Sequence, residues 1–212
     1  MRSAPAVVEP VAQDLLECAA ATRPQAGTAA SGDRAVVTSV AGGALIAAID
    51  GVGTGAEAAR AAGAAADVVA EASSGDLVAL VNACHEALSG TRGVAMSAAY
   101  FPAGEQTMTW LGIGSVEGRL VAGNAVPPAT TESLPLLAGV LGHDVPRLLS
   151  QTLGLERGDL VVLATDGVAA SYADTGLPAG SPAEVAEHIV ATYSRNEADA
   201  LALVVRYLGD CR

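Results

Sequence analysis

The stretch LIAAIDGVGTG, residues 45–55, runs from an apolar segment directly into an aspartate and three alternating glycines. Five apolar residues in succession are typical of a strand that is buried on both faces. Asp50 must then emerge where this strand ends, at the edge of a sheet. The glycines at 51, 53 and 55 allow a sharp turn and a close approach to the main chain. The stretch therefore predicts a rigid strand that presents a carboxylate at the rim of the core.

A second apolar strand, in GDLVVLATDG (158–167), also ends in Asp–Gly, at Asp166. Two further acids flank strands: Asp33 precedes the first predicted strand and Asp199 precedes the last. Mg²⁺ and Mn²⁺ prefer carboxylate, carbonyl and water oxygens, so these four acids are candidate ligands of a hard cation. Asp–Gly is also a common hairpin turn, and that alternative stays open for each dipeptide.

Periodicity and turn residues predict the elements around these acids. Strands are expected at 35–40, 44–49, 94–101, 107–114, 117–123, 158–167 and 200–208. Helices are expected at 56–72, 77–90 and 181–193. Loops are expected at 23–33 and 126–135, and residues 1–17 are expected to be flexible or loosely packed. Because two consecutive helices separate runs of hairpins, the pattern favours an α+β architecture in one domain over 1–212, with helices covering sheets.

The composition excludes several functions. The formal net charge is −12, and all eleven basic residues are arginine. Such a chain repels nucleic acid and anionic lipid, so we expect neither to be a partner. No apolar run reaches the roughly 18 residues that span a bilayer, and the N-terminus lacks a signal-peptide core, which predicts a cytoplasmic protein. The three cysteines, at 18, 84 and 211, have neither disulfide nor zinc spacing.

Five motifs carry a family resemblance in order and spacing. They are SGDR (31–34), AIDGVGTGAEAARAA (48–62), TRGVAMSAAYF (91–101), TWLGIGSVEGRL (109–120) and LERGDLVVLATDGV (155–168). Together they resemble the metal-dependent serine/threonine protein phosphatases of the PPM class, in their SpoIIE-like branch, and within it the RsbX-type phosphatases of the stress-signalling complex. The resemblance runs from about residue 18 to 208.

This resemblance implies a sandwich of two antiparallel sheets flanked by helices, in α-β-β-α layers, with two Mg²⁺ or Mn²⁺ ions at one end. Asp50 would bridge both ions, the Gly51 carbonyl would bind one, and Asp166 the other. Asp33 would orient a metal-bound water that attacks the phosphorus of a phosphoserine or phosphothreonine in a signalling protein. Asp33, Asp50 and Asp166 are thus the implied catalytic residues, and the substrate would belong to a bacterial stress-signalling or anti-sigma pathway.

Two positions depart from the family pattern. Thr54 replaces the histidine of the usual DG-x-G-H-G, which affects local shape and substrate contact. In NEADALALVVR (196–206), Ala198 stands where a metal-ligand aspartate is expected, and Asp199 is the second member of that pair. Asp199 or Glu197 is the candidate replacement ligand; otherwise one ion binds weakly or not at all. The alternative to an active enzyme is therefore an impaired relative that binds a phosphoprotein and regulates without turnover.

Arg92, in TRG, precedes a predicted strand and is a candidate for binding the substrate phosphate, with a plain surface salt bridge as the alternative. His85 is expected to be structural, His143 to lie on a loop, and Cys84 to pack on an apolar helix face. The glycines of GVGTG lack the G-x-G-x-x-G spacing, so a dinucleotide-binding loop is excluded at this stretch.

Overall fold

The computed structural model describes residues 14–28, 30–123, 131–174 and 176–209. These described residues form ten strands: β1 (Leu16–Arg23), β2 (Asp33–Val40), β3 (Gly43–Gly51), β4 (Val94–Pro102), β5 (Thr107–Ile113), β6 (Glu117–Val121), β7 (Thr131–Ser133), β8 (Gln151–Gly154), β9 (Leu160–Ala164) and β10 (Ala200–Tyr207). The α-helices in these ranges are α1 (Ala56–Ala70), α2 (Leu77–Ala87) and α3 (Pro182–Tyr193). A short 3-10 turn follows β9 at Ala170–Ala173.

Two five-stranded antiparallel sheets form a sandwich. The first sheet has the order β1-β10-β9-β6-β7 and the second β2-β3-β4-β5-β8. A core of apolar side chains from both inner faces fills the space between them, including the buried Trp110 and Phe101. Helices α1 and α2 cover the outer face of the second sheet, and α3 covers that of the first. The predicted α+β sandwich with α-β-β-α layers is confirmed.

The strand β3 has the burial that its sequence predicts. Residues 44–49 are fully buried because even-numbered side chains face the other sheet while odd-numbered ones face α1 and α2. The turn AGG joins β2 and β3 as the expected hairpin, with Val40 paired to Gly43. At the other end of this hairpin the register pairs Asp33 with Asp50.

The helix boundaries follow from local capping. Asp76 caps α2, and its side chain accepts hydrogen bonds from the amides of Val78 and Ala79. Ser181 and Glu184 form the predicted capping box at the start of α3, with Pro182 in the first turn. These local signals set the helix starts to within a residue of the prediction.

Two expectations about irregular segments were wrong, and one further strand was not predicted. Residues 15–17 are not loosely packed, because Leu15 and Leu16 are buried and β1 begins at Leu16, while residues 1–13 lie outside the described residues. The predicted loop 126–135 contains the short strand β7, although residues 124–130 are not described. The edge strand β8 was not predicted. Pairing with another strand outweighs the weak local propensity of all three strands: β1 and β8 pair with partners distant in sequence, and β7 pairs with β6.

Candidate metal centre

The first two acids of the predicted site meet at one end of the sandwich. Asp33 opens β2 and Asp50 lies one residue before the end of β3, and the antiparallel register places them directly opposite each other. The Asp50 side chain also accepts a hydrogen bond from the Ser115 hydroxyl at 3.4 Å. Asp33 is only 3% exposed and Asp50 is half-buried. The hairpin therefore places two carboxyl groups opposite each other, within electrostatic range, in a poorly hydrated position.

The electrostatic consequence is a raised pKa for both groups. Burial, followed by the nearby Asp50 charge, raises the pKa of Asp33 to about 8. Burial, followed by the Asp166 charge, raises the pKa of Asp50 to about 7. None of the three ion pairs found in the described ranges involves either residue. This cluster of negative charge has no cationic side chain to neutralise it there.

Asp166 joins the cluster from the other sheet. It lies two residues after β9, is exposed, and acts electrostatically on both Asp33 and Asp50. Thr165, the buried residue between β9 and Asp166, connects the two sheets. Its hydroxyl donates to Asp33 Oδ2 at 2.8 Å and accepts from the Leu201 amide at 2.9 Å. The three residues predicted to be catalytic thus lie within electrostatic range of one another.

Asp199 has a different environment from the other acids. It is 7% exposed and lies just before β10. Its Oδ1 accepts from the Gln25 amide and its Oδ2 from the Gly32 amide, both at 2.7 Å. Asp199 therefore clamps the segment between β1 and β2. Metal binding by Asp199, which stays a prediction, would compete with these two hydrogen bonds.

Two glycines of the motifs are required for close packing. A Cβ on Gly51 would lie 2.2 Å from the carbonyl oxygen of Ala58 in α1. A Cβ on Gly167 would lie 1.8 Å from the carbonyl oxygen of Asp199. Neither residue needs a positive φ, so the glycines serve the approach of another backbone segment.

The two predicted substrate residues, Thr54 and Arg92, lie in the loops that follow β3 and precede β4. Thr54 is exposed between β3 and α1. Arg92 is also exposed, and its Nε lies 2.6 Å from Glu57 Oε2, so the alternative of a surface salt bridge is realised. The guanidinium rests against Gly53, where a Cβ would lie 2.8 Å from Nη1.

The remaining candidates have structural environments. His85 Nδ1 accepts a hydrogen bond from the Gly142 amide at 3.0 Å, consistent with its expected structural role. Cys84 is fully buried in α2, as expected for packing. His143 lies on an exposed loop. Thr165 was missed by the sequence analysis, although a hydroxyl directly after a buried apolar strand was a usable signal.

The donor set fits a hard divalent cation only in part. Asp50, Asp166 and the Gly51 carbonyl are oxygen donors of the kind that Mg²⁺ and Mn²⁺ prefer, and the unneutralised charge favours a cation. Ala198 contributes no side-chain donor. Within the described residues, no three His, Cys, Asp or Glu side chains converge into a metal-binding group. The side chains present therefore support a cation bound by few carboxylates and completed by water.

The sequence profile described as Stage II sporulation protein E (SpoIIE) matches residues 41–209. The chain belongs to the SpoIIE family. A search of curated proteins found no significant match. No helix of the described SpoIIE-type domain is long and apolar enough to cross a membrane.

Solved structures have the same fold as this SpoIIE-type domain. A chain from the bacterial stressosome, a modular system adapted to control secondary messenger signalling, is 26% identical with a TM-score of 0.80, covering 90% of this chain and 99% of its own. RsbX in complex with magnesium is 18% identical with a TM-score of 0.77, covering 92% and 96%. The Mycobacterium tuberculosis serine/threonine phosphatase PstP is 19% identical with a TM-score of 0.69, covering 92% and 99%. The domain thus has a PPM-type phosphatase fold.

Proposed function

We propose that this SpoIIE-type domain is a metal-dependent phosphoserine/phosphothreonine protein phosphatase. Its substrate would be a phosphorylated protein of a bacterial stress-signalling or anti-sigma pathway in the cytoplasm. The observation that carries the proposal is that Asp33, Asp50 and Asp166 lie within electrostatic range of one another at one end of the sandwich, and that none of them takes part in an ion pair in the described part of the chain. A divalent cation would relieve the repulsion among these carboxylates.

The residues of the chain have separable roles in this proposal. Asp50, the Gly51 carbonyl and Asp166 would hold Mg²⁺ or Mn²⁺, which when bound acidifies water and offsets phosphoryl charge. Asp33 is buried and fixed by the Thr165 hydroxyl, so it is suited to orient a water and accept its proton. In the reaction, the water oxygen forms a bond to phosphorus while the bond from phosphorus to the serine oxygen breaks, and the proton lost by the water is balanced by one that the serine oxygen takes up. No nucleophilic side chain is needed.

Relatives support the choice of pathway and cofactor. One structural neighbour comes from a stressosome and another is RsbX with magnesium, while PstP has been solved with two manganese ions. The family match and the shared fold support the class of reaction. The phosphoprotein substrate and the use of two ions by this chain are part of our proposal.

A second candidate function is favoured by Ala198. With no carboxylate at this position and both oxygens of Asp199 engaged by backbone amides, one ion would be held weakly. A domain with such a defect would bind the phosphoprotein and regulate it by occupancy, without turnover. The two candidates share a fold and differ in metal affinity.

The test is Mn²⁺-dependent hydrolysis of a phosphoserine peptide and of p-nitrophenyl phosphate by the parent, Asp50→Ala and Ala198→Asp. The phosphatase proposal expects activity in the parent that Asp50→Ala reduces by at least about 100-fold, since loss of an electrostatic group commonly costs this much. Ala198→Asp should bind Mn²⁺ about tenfold more tightly in calorimetry.

The outcomes separate the candidates. An inactive parent that becomes active on Ala198→Asp substitution would support the impaired regulator. Equal activity of the parent and Asp50→Ala would refute both assignments of the site. Absence of specific Mn²⁺ uptake by all three proteins would also refute them.

A further inference from the structure

Arg92 occupies a defined position on the loop that follows the predicted metal site. The β3–β4 register pairs Asp50 with Ala95 and Gly51 with Val94, and it continues beyond the strands through a bond from the Val52 amide to the Gly93 carbonyl at 3.0 Å. Arg92 then lies against Gly53. Gly53 is three residues beyond Asp50, which is at most about 10 Å of extended chain.

The backbone around Arg92 is fixed on both sides. The Thr91 hydroxyl donates to the Leu88 carbonyl at 2.7 Å and accepts from the Gly93 amide at 3.0 Å. The next residue, Val94, donates to the Leu141 carbonyl at 3.1 Å. A long cationic side chain is thus displayed from a rigid turn.

Gly53, which has no side chain, leaves space for the Arg92 guanidinium. Gly53 has φ of 92°, and a Cβ there would lie 2.8 Å from Arg92 Nη1. A side chain at position 53 would therefore displace the guanidinium, besides straining the backbone. The shape of the loop keeps Arg92 close to the site.

The ion pair between Arg92 and Glu57 is weak. Nε contacts Glu57 in the first turn of α1, and the two side chains are 53% and 54% exposed. An ion pair so exposed contributes little to stability, because water screens it and two long side chains lose entropy. Glu57 can therefore be exchanged for a stronger anionic ligand without a large cost to the fold.

The negative charge around the site would repel a phosphorylated side chain unless a cation offsets it. A phosphorylated side chain carries close to two negative charges and must approach a chain of net charge −12 beside several carboxylates. Arg34, also near the site, has its Nη1 bonded to the carbonyls of Ser31 and Asp33. Arg92 is half-exposed and planar, and a guanidinium can bind a phosphate through two parallel hydrogen bonds.

We propose that Arg92 binds the substrate phosphate at the site and that Glu57 occupies the guanidinium until the phosphate replaces it. This inference rests on the proposed function, because it assigns the recognition of the same phosphoryl group. Glu57 thus acts as an internal competitor that weakens the binding of every anion to Arg92 by the same factor, so that only an anion that binds as strongly as a phosphoryl group occupies the guanidinium.

The test uses the full chain with Mg²⁺ and inorganic phosphate as the probe, with binding measured by calorimetry so that turnover is not required. Arg92→Gln should weaken phosphate binding about tenfold, and Arg92→Lys should recover part of the loss. Glu57→Gln should tighten binding about threefold. The control is Arg60→Gln, which removes the same charge from an exposed position on α1 and should change binding less than twofold.

Kinetics with a phosphoserine peptide provide a second readout. Arg92→Gln should raise KM about tenfold with a smaller change in kcat, whereas Arg60→Gln should change neither. Equal effects of Arg92→Gln and Arg60→Gln would overturn the assignment, as would a parent that binds no phosphate. Unchanged binding in Glu57→Gln would overturn the exchange. Arg92-dependent phosphate binding without hydrolysis would leave this inference intact and refute the phosphatase proposal.

Discussion

Replacing Thr165 with valine removes a buried hydroxyl that joins the two sheets at the candidate site. This hydroxyl donates to Asp33 Oδ2 at 2.8 Å and accepts from the Leu201 amide at 2.9 Å. Valine has nearly the same shape, so the substitution leaves packing largely unchanged and removes both hydrogen bonds. It leaves the Leu201 amide without this acceptor in a buried position.

The expected cost follows from those two bonds. A hydrogen bond to a charged carboxylate, the form that Asp33 takes at pH 9, contributes about 1.5–3 kcal/mol, and an unsatisfied buried donor costs about 1–3 kcal/mol. Since the two contributions share one hydroxyl, we expect a loss of about 3 kcal/mol in the free energy of unfolding. For a chain of this size that corresponds to a melting temperature lower by about 6–12 °C. Thr165→Ser, which keeps the hydroxyl and removes one methyl, should cost only about 1 kcal/mol.

The loss should also depend on pH. The Thr165 hydroxyl lowers the pKa of Asp33, while burial and the neighbouring charges raise it to about 8 overall. The bond therefore favours the ionised carboxylate, and its removal costs most above that pKa. We expect the difference between Thr165→Val and the parent to be larger at pH 9 than at pH 6.

Urea unfolding of the metal-free proteins measures these effects directly. The chain has a single tryptophan, Trp110, which is buried between the sheets and reports the loss of the core. If Thr165→Val were no less stable than Thr165→Ser at pH 9, the hydroxyl would not be the connection that we describe. A loss that is the same at both pH values would contradict the link to Asp33.

Two further predictions concern packing and thiols. Gly167→Ala should destabilise the fold by about 3 kcal/mol in urea unfolding, because the new Cβ would lie 1.8 Å from the Asp199 carbonyl oxygen. The control is Gly63→Ala in α1, where a Cβ would have no neighbouring atom within 4 Å, and this substitution should stabilise the fold slightly. Burial raises the pKa of Cys18 and of Cys84 to about 12. In a Cys211→Ser background, both thiols should therefore resist Ellman's reagent at pH 8 and react on unfolding. The stability contributed by their protonated forms is lost only above about pH 9. Rapid labelling of the native protein would contradict this prediction.

Much of the fold was accessible from the sequence because local signals were strong there. Apolar runs, hairpin turns and capping residues predicted β3, the β2–β3 turn and the start of α3. By contrast, β1 has the sequence LECAAATR, whose alanines have little preference for a strand. It exists because eight of its residues pair with β10 near the other end of the chain.

The candidate site shows the same division. The Asp–Gly pairs were recognisable because each follows a buried strand, and the structure brings Asp50 and Asp166 within electrostatic range of one another. The clamp formed by Asp199 was not predictable, since its partners Gln25 and Gly32 are more than 160 residues away in sequence. Only the folded chain shows that this carboxylate already has two donors.

The clamp bears on how the chain could compensate for Ala198. Moving Asp199 into a metal site would break two hydrogen bonds to a carboxylate, at about 1.5–3 kcal/mol each, or about 3–6 kcal/mol together. A cation bound with a micromolar Kd gains about 8 kcal/mol, so recruiting Asp199 would consume much of that gain. Glu197 has an exposed side chain, although its carbonyl accepts from the Gln25 side chain. We therefore expect Asp199→Asn to lower the free energy of unfolding, through the segment between β1 and β2, by more than it lowers the free energy of Mn²⁺ binding. The opposite order would make Asp199 a ligand after all.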